Sequence, residues 1–287
     1  MPRRIVEERL KQFLEEDVGE GDVTAAAVIP KNLTVKAEII AKAEGIVAGL
    51  EEAAILAESM GLQAEAKAVD GDKVQSKQVI MVLSGDAQTI LSVERTLLNL
   101  LSRMSGIATK THSLCEQLEK TKVKARIAAT RKSAPGLLYF DKKAVAVGGG
   151  DPHRLHLDDM ILIKDNHLAI VGSAEEAVKK TKANASFSKK IEVEVTSQQE
   201  ALKAAEAGAD IVMLDNFSPK QAKEAGEKLR KAGYVNVLLE VSGGITSETL
   251  LEYASAQVDI ISLGELTHSV KALDISLEII PPKEALL

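Results

Sequence analysis

Cysteine is almost missing from this chain. Cys115 is the only one in 287 residues, so no internal disulfide can form, and a reducing, cytoplasmic compartment is expected. Tryptophan is absent and aromatics are 2% of residues, which leaves few rings for stacking nucleic-acid bases. No excess of positive charge offsets that lack: the net charge is −6 and the pI near 5.6, so neither nucleic acid nor an anionic membrane surface is an expected partner. No apolar run approaches the length of a membrane span, and the N-terminal MPRRIVEERLKQFLEED is basic and then amphipathic, unlike a signal peptide. What is present, 45% hydrophobic and 27% charged residues, is ordinary for a soluble globular protein. The length permits one large domain or two unequal ones. Cys115, in the amphipathic THSLCEQLEK, reads as a plain core or semi-buried packing residue.

The rhythm changes along the chain. A short helix, IVEERLKQFLEED, leads into a Gly-rich turn, EDVGEGDVT. Strand-like segments (LTVKAEIIAKAEGIVAG, LQAEAKAVDGDKV, QVIMVLSGDAQTIL) then flank a helix, EEAAILAESM, and are punctuated by Gly-Asp and Asp-Gly turns that predict an antiparallel α+β module. The long amphipathic stretch SVERTLLNLLSRMSGIATKTHSLCEQLEK predicts a bridging helix. From about residue 123, apolar runs (VKARIAAT, MILIKD, KIEVEV, DIVMLDN, VNVLLEVSG, DIISLG and a further LDISLEII) alternate with helical patterns, which predicts parallel βα units. Their number favours a barrel, with a doubly wound sheet as the alternative.

In a parallel barrel all strand C-termini face one rim, where ligands bind. Here the tips carry Thr130, Arg131 and Lys132, then Lys164 in KDNH, then Glu192 and Glu194, Asp215 and Asn216, Glu240 with Ser242, Gly243 and Gly244, and lastly Gly264. A single charged tip is ordinarily solvated surface. Several in series, of both signs, point to a ligand. Arg131, Lys132, Arg154 and Lys164, with His153 beside them, form a cationic set suited to carboxylate or phosphate. Glu194 and Asp215 suit ribose hydroxyls or a hard divalent cation, the alternative being salt bridges to the rim's own cations. VSGGITSETL places two glycines before a helical pattern, a phosphate-binding arrangement, with Gly264 as a second edge of the cradle. GGGDPHR is either a surface turn or a flexible loop delivering His153 and Arg154. The rim therefore asks for a heavily anionic ligand with a phosphate, a sugar and a metal.

The motifs ATRKSAPGL, GGGDPHR, ILIKDNH, IEVEV, MLDNF, VSGGI and SLGELTHS, with EDVGEGDVT and ERTLLNLLSRMSGIAT upstream, together resemble quinolinate phosphoribosyltransferases over roughly residues 15–275. The resemblance implies a type II phosphoribosyltransferase fold, an α/β class with an N-terminal open α/β sandwich and an incomplete barrel of about seven strands. The corresponding segments are 1–112, 113–274 and a C-terminal tail, 275–287, packing back on the N-terminal domain. It implies the reaction of quinolinate with 5-phosphoribosyl-1-pyrophosphate to nicotinate mononucleotide, pyrophosphate and carbon dioxide, with Mg²⁺, as a step in NAD synthesis. By the same resemblance, Arg131, His153, Arg154 and Lys164 hold the two quinolinate carboxylates, and Lys132 and Lys164 face the pyrophosphate, with Thr130 beside them. Glu194 and Asp215 bind the ribose and organise Mg²⁺, while Ser242, Gly243, Gly244 and Gly264 cradle the 5-phosphate. Arg95, in ERTLLNL, reaches the neighbour's site in a homodimer or assembly of dimers, and His167 and His268 give structural support.

Two positions depart from the family pattern: Pro152 stands where Asn is frequent, and Leu138 where Arg is frequent. Pro152 should stiffen its loop through its fixed φ. Loss of a cation at 138 bears on anion contacts or on a subunit interface, and so on substrate identity. Three kinds of alternative follow: a nicotinate phosphoribosyltransferase or a molybdate-transport-associated relative, a Schiff-base aldolase using Lys164, and a barrel that only binds phosphorylated ligands.

Overall fold

The computed structural model describes residues 1–121 and 123–281, which divide into two compact units. The first comprises Met1–Lys110, Tyr139–Gly148 and the described residues from Val270 onward; the second comprises Thr111–Leu138 and Gly149–Ser269.

The first unit opens with α1 (Arg3–Val18), which buries Val6, Leu10 and Leu14 at four-residue spacing on one face. In the stretch that reads as a Gly-rich turn, Asp22 caps a short helix, α2 (Val23–Val28), by accepting from the Ala25 N–H at 2.9 Å. There follow β1 (Thr34–Ala41), β2 (Gly45–Ile46), α3 (Leu50–Ser59), β3 (Gln63–Ala66), β4 (Lys73–Val74), β5 (Gln78–Asp86) and the 33-residue α4 (Ala87–Glu119), whose residues from Thr111 belong to the second unit. In β1 the alternate residues Val35, Ala37, Ile39 and Ala41 are buried, the period-2 signature of a sheet with one covered face. β1 pairs antiparallel with β5, and β5 with β3, as the turn-punctuated pattern predicts.

The second unit is a run of parallel βα elements. It holds β6 (Arg126–Ala129), which α5 (Leu138–Val147, nearly all in the first unit) follows in the chain, then β7 (Ile161–Ile163), α6 (Asp165–Val171) and α7 (Ala174–Asn184). Next come β8 (Ile191–Val195), α8 (Gln198–Ala207), β9 (Ile211–Asp215), α9 (Pro219–Lys231), β10 (Leu238–Ser242), α10 (Leu250–Ala254), β11 (Ile260–Leu263) and α11 (Glu265–His268). Capping boxes start two of these helices: Ser197 with Glu200 at α8, and Ser218 with Gln221 at α9, where Pro219 takes the first turn. The sheet order is β6-β11-β10-β9-β8-β7, every pair parallel, so strands adjacent in sequence, β6 and β7, stand at opposite edges. On the outer side of β6 the GGGDPHR loop adds a single parallel bridge, with the Asp151 N–H donating to Ile127 O at 2.7 Å and the Ala129 N–H to Asp151 O at 3.0 Å. Six strands and this stub make the incomplete, barrel-like sheet.

The last candidate strand, LDISLEII, does not join that sheet. It forms β12 (Ile275–Ile280), antiparallel to β1 in the first unit, so the four-stranded order is β12-β1-β5-β3. The rest of the expected 275–287 tail, residues 282–287, lies outside the described residues.

Candidate active site

Parity along the barrel strands builds the site. Successive strand side chains point to opposite faces, so residues two apart share a face. In β8, Val193 and Val195 are buried on the other face while Glu192 and Glu194 share one face. The cavity at the strand C-termini, about 610 Å³, is lined by Leu162 and Lys164 of β7 and its tip, Glu194 of β8, Met213 and Asp215 of β9, Glu240 and Ser242 of β10, and Ser262 of β11. The β6 tip adds Thr130, Arg131 and Lys132, the bridging loop adds His153 and Arg154, and the β10 turn adds Gly243 and Gly244.

The structure thus brings together all the residues to which the sequence assigned a ligand contact except two, Arg95 and Gly264. Arg95 lies in the first unit on α4, its side chain 64% exposed and 3.9 Å from Glu94. Gly264 does not line the cavity. A Cβ there would come within 2.9 Å of the His268 ring and 3.4 Å of the Lys132 side chain, so this glycine makes room for two neighbours. The helix expected directly after VSGGI also shrinks, to Leu250–Ala254. Residues 246–249 instead form a turn in which the Thr246 N–H donates to Thr249 Oγ1 at 3.0 Å. What remains exposed to the cavity at this turn is the glycine backbone. Gly243 has φ +97°, and a Cβ on it would sit 2.4 Å from Asn216 Oδ1. The amides of Gly243 and Gly244 make no hydrogen bond to a described residue, which leaves both free for an anion.

Several tips are held by local hydrogen bonds. Lys164 donates from Nζ to Glu194 at 3.2 Å. Its main-chain N–H donates to His167 Nδ1 at 2.9 Å, so His167 in KDNH closes the first turn of α6. Asn216, at φ +55°, donates to Asp215 Oδ2 at 2.6 Å and orients that carboxylate. Thr267 Oγ1 donates to Lys132 O at 2.8 Å and anchors the Arg131–Lys132 turn. Arg154 is buried, and that burial, with Arg131 nearby, lowers its pKa from the ordinary arginine value.

Below this rim lies a charged cluster that the sequence did not nominate as a unit. His153 Nε2 stands 3.2 Å from Glu240 Oε2 and 3.3 Å from Glu192 Oε2, with side-chain exposures of 11%, 1% and 0% in that order. Ser262 Oγ donates to the other oxygen of Glu240 at 2.6 Å. The Glu192 oxygens make no geometrically sound hydrogen bond, so its contact with the imidazole is an ion pair. Burial alone would lower the His153 pKa, but the two carboxylates outweigh it and raise it to about 10. Burial pushes the Glu192 carboxyl up, His153 pulls against it, and Glu240 adds to the rise. The available signal was the period-2 spacing of Glu192 and Glu194, which puts both on one strand face.

Glu194 and Asp215, on neighbouring strands and open to the cavity, are a donor set that fits a hard divalent cation. No helix among the described residues is long and apolar enough to cross a membrane.

A curled parallel sheet whose strand ends gather fixed cations, two carboxylates and open glycine amides defines an α/β-barrel protein built for a multiply anionic ligand. The chain belongs to the quinolinate phosphoribosyl transferase family: it matches that family's N-terminal domain over residues 22–105 and its C-terminal domain over residues 107–278. A probable nicotinate-nucleotide pyrophosphorylase (carboxylating) of Methanothermobacter thermautotrophicus is 46% identical over 271 residues, covering 94% of this chain and 97% of that protein. The nicotinate-nucleotide pyrophosphorylase (carboxylating) of Dictyostelium discoideum is 37% identical over 294 residues, 97% of each. The solved nicotinate-nucleotide pyrophosphorylase from Francisella tularensis superposes with a TM-score of 0.89 at 36% identity, covering 98% of both chains.

Proposed function

We propose that this chain transfers the phosphoribosyl group of 5-phosphoribosyl-1-pyrophosphate to quinolinate, releasing pyrophosphate and carbon dioxide and forming nicotinate mononucleotide for NAD synthesis. The names of the relatives describe the same reaction from the nucleotide side, where carbon dioxide is taken up. The observation that carries the reading is the single cavity in which Arg131, Lys132, Arg154, Lys164 and His153 face Glu194, Asp215 and the Gly243–Gly244 amides.

Arg131, Arg154 and His153 pair with the two ring carboxylates and aim the pyridine nitrogen at the ribose carbon; such orientation converts binding energy into rate. Lys132 and Lys164 stabilise the departing pyrophosphate, while Glu194 and Asp215 hold the ribose hydroxyls against the positive charge that grows on its ring. Mg²⁺, held by those same carboxylates, would neutralise pyrophosphate charge. Nitrogen attack breaks the bond to pyrophosphate. The pyridinium then draws in the electron pair released as the adjacent carboxylate leaves as carbon dioxide, and the vacated carbon takes a proton. No general base is required for this sequence of bond changes. Arg95 is assigned to the site of a second copy in a homodimer, and the protein to the cytoplasm.

Carboxyl-labelled quinolinate tests the reading. Label release as carbon dioxide should require 5-phosphoribosyl-1-pyrophosphate and Mg²⁺, and should fall by about 10²-fold or more in Lys164→Ala. A folded wild type that releases none would overturn it, and nicotinate would be the next acceptor to try.

A further inference from the structure

The His153 ring is gripped at one nitrogen only. Both glutamates reach Nε2, and Nδ1 has no protein partner among the described residues, although the ring lines the ligand cavity. The backbone fixes the same pose. His153 sits at φ +53°, a left-handed conformation that a non-glycine residue rarely adopts, after the rigid Pro152, and its N–H donates to Asp151 Oδ1 at 2.7 Å. The loop itself is tied to β6 by the bridge at Asp151. Strain of this kind persists only where surrounding contacts over-determine it.

We propose that Glu192 and Glu240 are positioning residues, which hold His153 by Nε2 as a fixed cation and so present its Nδ1–H to a ligand carboxylate.

The other charges near the ring argue that the glutamates are needed. Arg131 and Lys132 from the β6 tip, Arg154 beside it in the loop and Lys164 from the β7 tip are all positive, and each disfavours one more cation in the same cavity. Glu194 is engaged by Lys164 and Asp215 by Asn216, while Asp151 is taken up by the His153 backbone and Asp165 by the Asn166 N–H. β11 contributes no charge, only Ser262, which orients Glu240. Among the described residues only Glu192 and Glu240 make an ion pair or hydrogen bond with the ring, and burial removes the water that would screen them. The raised His153 pKa agrees with this geometry. A neutral imidazole could turn either a donor or a lone pair toward the ligand. One held doubly protonated can only donate, so it favours a carboxylate. Which carboxylate it serves rests on the quinolinate reading above; the protonation state does not.

Histidine-selective ¹⁵N labelling of the full chain tests this directly, because the sequence has only five histidines and His153→Asn identifies the resonance. The wild-type ring should stay doubly protonated to about pH 8.5 or beyond, and Glu192→Gln or Glu240→Gln should lower its midpoint by about one unit or more. In parallel, calorimetric quinolinate affinity of either variant should be about tenfold weaker near pH 8 and should recover toward wild type near pH 6, where protons restore the lost charge. A wild-type ring that titrates near its ordinary value overturns the proposal, and so does a variant defect that is the same at both pH values. Should the variants fail to fold, the wild-type titration still decides. A ring that stays charged in a protein that never binds quinolinate would sink the substrate assignment and leave this proposal standing.

Discussion

Gly243 and Asn216 show how closely single residues shape the side of the cavity at the tips of β9 and β10. Gly243 combines a positive φ with an approach that would bring a Cβ to 2.4 Å from Asn216 Oδ1, the side chain that orients Asp215. Gly243→Ala should cost roughly 1–3 kcal/mol in urea unfolding, and it should raise the KM for 5-phosphoribosyl-1-pyrophosphate by more than that for quinolinate. Equal effects on both substrates would remove the phosphate role. Residues at the rim were legible because charge at the end of an apolar strand stands out in a sequence. Glu192 and Glu240 were visible as charges too, but their partner was not. Nothing local says that a loop some forty residues from one and ninety from the other will bring an imidazole between them. Gly264 shows a related limit: the room it leaves for His268 and Lys132 has no mark in the sequence around it.

At the scale of elements, the amphipathic and capped helices read well, α1, α8 and α9 among them, because their periodicity and start signals are local. Helix α5 did not. Its LYFDKKAVAV carries a fully buried Asp141 and gives a confused stripe, since it is stabilised by charge from elsewhere in its unit. Arg103 of α4 donates to both oxygens of Asp141 at 2.7 and 2.8 Å, and Lys143 meets Glu51 and Glu52 of α3 at 2.5 and 2.7 Å. Removing one side of such a buried pair strands the other, so Asp141→Ala should lose about 3–5 kcal/mol by urea unfolding. By contrast Ser218→Ala, which deletes only the cap of α9, should lose about 1 kcal/mol. Similar losses from the two changes would mean that the Arg103–Asp141 pair is not the anchor of α5.

For the whole molecule, the histidine–diglutamate cluster ties stability to pH with a definite sign. His153 binds its proton more tightly folded, near 10, than its ordinary value of 6.5, so its contribution is complete below about pH 6.5 and is lost as pH rises toward about 10. The urea midpoint should therefore fall across that window in wild type, and fall less in His153→Asn. Parallel curves for the two proteins would show that the cluster does not couple folding to protons. The two-part organisation was legible from the change of rhythm near residue 123, whereas the return of the last strand to the first unit was expected only through the family resemblance, because β12 carries no mark of its partner in its own pattern. That pairing has a consequence for biosynthesis. β1 (Thr34–Ala41) receives its neighbour, residues 275–280, only after all the barrel strands between them have been made, with the Leu273 N–H then donating to Ser102 O at 2.9 Å. Throughout translation one side of β1 offers unpaired amides and carbonyls to any passing strand. The nascent protein is thus most exposed to mispairing while the ribosome builds its barrel, because the strand that closes its first sheet follows the whole of that barrel in the chain.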